Sequence, residues 1–187
     1  MKLRVYLAIF AISLTIVAFI VEIPDNRSAV KTLTDKEAAN INWTPKGTTI
    51  KSLSKLVQGF PKDKKFDKQI RFGYEFNVYE IKCRITGFRK DDQGDYHLVL
   101  MDLTDSTSTI VGQILNPDSP GLAGSQYMGS FKNTREEFEL FMLPRNKVMD
   151  NIYTITGVCF FDLHHEVGSA PNLVEIHPIM DIITDFK

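Results

Sequence analysis

Glu175 and His177 stand two residues apart in a run, Leu173 to about Ile183, that reads as a strand. A period of two sends both side chains out of one face, about 6 to 7 Å apart, which sets a carboxylate beside an imidazole. Asp162 and His165 close the preceding strand and open its loop, so four groups able to accept a proton or ligate a divalent ion approach one another. Three of the chain's four histidines fall in this stretch together with Asp162, Glu166 and Glu175. His97 can join the same surface if its strand turns His97, Val99 and Met101 outward.

The same residues also have purely structural uses. Asp162 and Asn172 can cap the loop, His165 can bond a loop carbonyl, and Glu175 can pair with His177 or Lys82. Ser169-Ala170-Pro171-Asn172 has turn chemistry, with Pro fixing φ and Asn closing an Asx turn. Metal-ligand spacing of the His-x3-His kind is absent. The site is therefore expected to hold no metal, with Asp162, His165, Glu175 and His177 as the alternative ligand set for a divalent ion.

Elements must position these groups, and the periodicity supplies them. Tyr79, Ile81, Cys83 and Ile85 alternate with charged residues, which predicts a long half-buried strand from Phe76. Asp91-Asp92-Gln93-Gly94 turns the chain into strands over Tyr96–Met101 and Thr109–Leu115. Thr134-Arg135-Glu136-Glu137 has capping-box spacing, and Phe138, Phe141 and Met142 form the stripe of a helix that stops before Pro144. Two further strands cover Ile152–Phe161 and Leu173 to about Ile183.

Three strands, a helix, then two strands is the order of the OB-fold, a five-stranded Greek-key barrel. The predicted class is all-β with one helix. In such a barrel the ligand meets the face of the second and third strands and the loops Arg89–Asp95 and Asp162–Asn172.

The chain also resembles a family of exported bacterial proteins whose domain is similar to an OB-fold. Asp95-Tyr96-His97-Leu98-Val99-Leu100 with Asp102, Thr156-Gly157-Val158-Cys159-Phe160-Phe161-Asp162 with His165, and Gly168-Ser169-Ala170-Pro171-Asn172 leading to Glu175-Ile176-His177-Pro178 carry the resemblance, over roughly residues 70 to 184. It implies a fold and a location rather than an activity. The chain departs from that pattern at 114–120, where relatives more often carry a Glu-Ile-Pro-x-Pro-x-Cys-like run. Gln113 stands near the position of that Glu.

Ahead of the domain, Val5 to Val21 is uncharged and follows Lys2 and Arg4, the pattern of a signal peptide or signal anchor over residues 1–21. Residues 3–21 would partner the membrane, leaving the rest outside the cytoplasmic membrane by the positive-inside rule. The product is then anchored in the cell envelope, or secreted or periplasmic if the segment is cleaved. Residues 22–70 read as a polar tether with short helices, one at the capping box Thr34-Asp35-Lys36-Glu37 and one whose face is Ile50, Leu53, Leu56 and Val57. Residues 71–187 make the domain.

The net charge of −1 conceals an asymmetry. Pro45 to Lys90 holds twelve Lys or Arg against four Asp or Glu, net +8, and Asp91 onward holds five against fifteen, net −10. The acidic turn 91–95 repels phosphate where OB-folds usually hold nucleic acid, which argues against that partner. Cys83 and Cys159 both fall inward on neighbouring strands, so an exported chain has one candidate disulfide. Two functions follow. The leading one is an exported or membrane-tethered binding module for a small ligand or envelope protein, using Asp162, His165, Asn172, Glu175, His177 and His97. The alternative is a metal-dependent, nuclease-like hydrolase.

Overall fold

A computed structural model describes residues 27–58, 70–143, 151–162 and 166–185. The expected apolar segment at 1–21, the lysines of 62–65 and His165 lie outside these residues. Among the described residues, no helix is long and apolar enough to cross a membrane.

Six strands form one sheet: β1 (Asn42–Thr48), β2 (Asn77–Lys90), β3 (Tyr96–Asp102), β4 (Thr109–Ile114), β5 (Ile152–Phe161) and β6 (Val174–Asp185). Five of them close a barrel in the order β2-β3-β4-β6-β5, with β5 returning to β2. The contacts are antiparallel except β4 against β6, where Val111 and Gly112 run parallel to Glu175 and Ile176. Closure rests on the length of β2, whose first half pairs with β5 while its second half pairs with β3. β2 thus joins the two ends of the sheet, one half of its length to each neighbour.

Alternation fills the barrel as the sequence predicts. Ile81, Cys83 and Ile85 of β2 point inward with Leu98 and Leu100 of β3, Ile155 and Phe161 of β5, and Ile176, Ile179 and Ile182 of β6. Two glycines admit close strands. A Cβ on Gly112 would lie 2.8 Å from Leu100 Cδ1, and one on Gly157 would lie 2.5 Å from the Pro178 carbonyl oxygen.

Helix α3 spans Met128–Glu137 and winds on through a wider turn over Phe138–Met142. It begins six residues before the expected capping box, so Thr134 is buried in the helix interior instead of capping it. The apolar residues Phe131 and Phe138 supply the reason. Phe131 packs with Leu115 and Val158, while Phe138 enters the barrel cluster against Tyr96, ring centroids 5.0 Å apart.

Residues 27–58 are not a tether. Short helices α1 (Ser28–Lys31) and α2 (Ile50–Leu53) flank β1, which adds to the start of β2 in parallel. Two reciprocal ion pairs fasten this N-terminal strap. The Arg27 guanidinium grips Glu75 in both arms, at 2.9 and 2.6 Å, and the Arg71 guanidinium grips Asp35 at 3.2 and 2.6 Å. All four side chains are excluded from water. α2 does bury Ile50 and Leu53, with the Thr49 hydroxyl capping its N-terminus, but Val57 is exposed because the helix stops at Leu53.

The disulfide is also corrected, since Cys83 and Cys159 are both free and buried. Cys83 lies opposite Tyr153, and Val158 opposite Val78, so the two cysteines are offset by about six residues along the β2–β5 ladder. At about 3.3 Å per residue that is roughly 20 Å, against the 7 Å limit for a bridge. Inward parity was right, but register decides pairing.

Candidate functional site

Outward-facing residues of β3, β4, β6 and β5 line up in two cross-strand rows on one side of the barrel. Val99 sits opposite Val111, Val111 beside Glu175, and Glu175 opposite Phe160. His97 sits opposite Gln113 in the next row, and His177 leaves β6 two residues after Glu175 on the same face. Glu175 and His177 thus share a face as their spacing predicts, with Nδ1 of His177 3.8 Å from Glu175 Oε2. Neither is open to solvent, at 1% and 2% exposure, because the strap crosses over them. The ring of Phe160 meets His177 edge-on at 5.5 Å and carries the Arg27 guanidinium on its face at 4.7 Å.

His97 has a partner at each ring nitrogen. Its Nε2 lies 2.9 Å from Asp91 Oδ2 and its Nδ1 3.0 Å from Glu166 Oε1, with Arg89 bonded to the same Glu166. Burial opposes the charged ring, but the two carboxylates outweigh it and raise the His97 pKa, favouring imidazolium. Asp91 and Glu166 are held low in turn, burial being outweighed by their hydrogen bonds to His97 and, for Glu166, to Arg89. The cluster ties the β2–β3 turn to the β5–β6 loop. Gly94 makes that turn possible at φ +89°, while Asp91 Oδ1 accepts from the Gln93 and Asp95 amides.

His177 is the opposite case. Burial drives its pKa well below the usual value, and the nearby positive charges of Lys31 and His97 push the same way. The ring is neutral. Neither of its nitrogens has a hydrogen-bond partner among the described residues. It lines a cleft of about 400 Å³ between the strap and the β2–β3 turn, together with Lys31, Asp91, Asp95, His97 and Gln113. A second, apolar hollow of about 300 Å³ lies on the other side of His97 against Phe88, Val99, Val111 and Val167.

The remaining expected residues do different work. The Asp162 carboxylate accepts from Lys31 Nζ at 3.1 Å and so helps hold the strap. The Asn172 amide donates to the Leu53 and Leu56 carbonyls, both at 2.9 Å, which anchors α2 to the loop rather than offering a ligand contact. The structure brings His97, Glu175 and His177 to one face, with Asp162 under the strap beside them; His165 lies outside the described residues. Among the described residues, no three His, Cys, Asp or Glu side chains are disposed to hold a metal ion.

Sequence reasoning did not single out Lys31, and it placed Asp91 in the ligand-facing turn without naming it as a site residue. Gln113 was noted only beside the departure at 114–120, and its Nε2 reaches Glu175 Oε2 at 3.4 Å. Lys31 carried no signal of its own.

No protein-family model matches the chain, and no curated protein matches it. Among solved structures, a chain from Leishmania major Friedlin named as an aspartyl-tRNA synthetase is similar over 78% of this chain, at 14% identity and a TM-score of 0.40. The similarity covers 22% of that chain, so the present one spans about a fifth of its length. A likeness at that score carries no argument about function.

Proposed function

We propose that this chain is an OB-type binding module whose ligand occupies the cleft on the outer face of β3, β4 and β6, beneath the strap. The barrel order, with a helix between the third and fourth of its five strands and a parallel seam between the third and fifth, supports the OB assignment. OB barrels take ligands on this face. One observation carries the site: His177 is buried at the cleft with both ring nitrogens lacking a hydrogen-bond partner among the described residues. A buried polar group left so costs about 1–3 kcal/mol, which a turn of the ring toward a molecule in the cleft would recover.

The ligand is small, since the cleft falls within the range of about 300–1,000 Å³ typical of small-molecule sites. The resemblance to exported bacterial proteins and the uncharged run behind Lys2 and Arg4 support a module held at the outer side of the cytoplasmic membrane by residues 3–21.

A thermal-shift screen of a broad small-molecule library against the full chain tests the reading. A true ligand raises the midpoint of the wild-type chain and leaves His177→Ala unmoved. A library in which every hit acts equally on both proteins would refute the site. Metal analysis of the same preparation covers the alternative hydrolase, for which a stoichiometric ion would be the supporting result.

A further inference from the structure

Both ring nitrogens of His97 face carboxylate oxygens, Nε2 at 2.9 Å from Asp91 and Nδ1 at 3.0 Å from Glu166. An ionised carboxylate only accepts, and both of these are held below the usual carboxylate range, burial being outweighed by their hydrogen bonds. The arrangement therefore needs a proton on each nitrogen. A neutral ring carries one proton, so losing the charge sets a lone pair against a carboxylate on one side.

The two sides differ in what else holds them. Asp91 belongs to a turn fixed independently of His97: its Oδ1 accepts from the Gln93 and Asp95 amides, Arg135 Nη1 donates to the Gly94 carbonyl, and the Asn116 amide donates to Asp95. Glu166 opens a second turn, Glu166 to Ser169, closed on itself by the Ser169 amide on the Glu166 carbonyl and the Glu166 amide on Ser169 Oγ. Among the described residues, the hydrogen bonds from this turn to other elements all run through the Glu166 carboxylate, to His97 and Arg89. Val167 at its tip is 87% exposed, and Gly168 rests on Val99, where a Cβ would come within 2.8 Å.

Arg89 decides which bond is lost. Its Nη2 lies 3.0 Å from Nδ1 of His97 and can donate there once that proton is gone, so the neutral ring keeps Nε2–H on Asp91 and turns its lone pair toward Glu166. What then holds Glu166 is the pair with Arg89, a side chain more than half exposed, and surface pairs of that kind contribute little.

The charged groups around the ring set the pH range. Besides Asp91 and Glu166 it meets Arg89 on β2, Asp95 in the same turn as Asp91, and His177 on β6, with Lys31 of the strap across the cleft. Burial and Arg89 favour the neutral ring, but the two carboxylates prevail, so the change falls above the ordinary histidine value of about 6.5. Asp91 and Glu166 are held low and His177 is pushed well below its usual value, so none of these three titrates there. The turn is held on the acid side and freed as pH rises through the folded value.

We propose that His97 is a protonation latch: its charged ring holds the Glu166–Ser169 turn down on β3, and its neutral ring lets the turn lift from Val99 and open the hollow beneath. That hollow, about 300 Å³, is walled by Glu166 and Val167 and lined by Val99 and Val111. Lifting the wall lays both valines open on the face where OB barrels take ligands. The latch needs no molecule in the neighbouring cleft and stands apart from the binding reading.

Nitrogen and methyl NMR of the full chain over about pH 5 to 9 tests it. Below the His97 midpoint both of its ring nitrogens should resonate as protonated, and Gly168 should show a nuclear Overhauser contact to the Val99 methyls. Above the midpoint Nδ1 alone should lose its proton and the Gly168–Val99 contact should fade. A soluble paramagnetic probe should then broaden the Val99 and Val111 methyls, the open fraction rising about tenfold for one lost charged hydrogen bond. Glu166→Ala should show the weakened contact at every pH while His97 still titrates. A Gly168–Val99 contact unchanged across the His97 midpoint would overturn the latch. So would a change at Gly94 in place of Gly168, or a ring that already carries a single proton at the acid end.

Discussion

Replacing Glu75 with Gln should loosen the strap more than any other single change of similar size. The Glu75 carboxylate has no exposure and accepts four hydrogen bonds, from the Arg27 guanidinium at 2.9 and 2.6 Å and from the Phe161 and Phe72 amides at 3.0 Å each. Glutamine keeps the shape, but one of its two ends becomes a donor facing donors, and the guanidinium of Arg27 loses its countercharge while buried. Breaking one side of a buried pair costs about 3–5 kcal/mol. A chain of this size loses about 2–4 °C of melting midpoint per kcal/mol, so the midpoint should fall by roughly 6–20 °C. The pair itself contributes less than that figure, because an Arg27→Met, Glu75→Leu double variant leaves no charge stranded and should recover most of the loss. Trp43, the chain's only tryptophan, stacks on Tyr127 at 4.7 Å and reports whether β1 is docked. Urea unfolding followed by Trp43 fluorescence and by circular dichroism measures both events. A Glu75→Gln protein that loses under about 1 kcal/mol, or a double variant no better than the single, would refute the account of the strap.

Three further outcomes are expected. Gly157→Ala should fail to fold stably, because its Cβ would meet the rigid Pro178 carbonyl at 2.5 Å, while Gly112→Ala meets only the tips of Leu100 and Ile179 and should cost about 1–3 kcal/mol by chemical denaturation. His97 has a raised pKa, so its contribution is fully present below the ordinary histidine value and fades as pH rises through the folded value; His97→Gln should therefore lose more stability at about pH 5.5 than at about pH 8.5, whereas Asp91 and Glu166, held low, lose theirs only in stronger acid. Both cysteines should react with a thiol reagent only as fast as the protein unfolds, with no effect of reductant on the melting midpoint, since burial pushes the Cys83 thiol up to about 12 and raises Cys159 likewise.

The strands of the barrel were readable because alternation survives wherever one face is buried and the other is not. Ile81, Cys83 and Ile85, or Leu98 and Leu100, announce their side without help. The strap was not readable, because what orders it lies far away in sequence: Arg27 finds its carboxylate 48 residues on, and Asp35 finds its guanidinium 36 residues on. Composition made the segment look solvated, although Arg27 and Asp35, the charges that fasten it, are buried in ion pairs. The shared face of Glu175 and His177 followed from spacing alone, but their burial did not, since the cover comes from that same strap. Asn172 looked like a site residue because an amide in a loop has two uses, and only the approach of α2 shows which one applies.

The seam of β1 has a further consequence for the company this protein keeps. Among the described residues the outer margin of β1 is one place where a foreign strand would find backbone groups to zip onto. Pro45 sits in the middle of that margin without an amide hydrogen, beside a break in register between Asn42 and Lys46. The interruption guards the molecule against growing, copy upon copy, into a continuous ribbon.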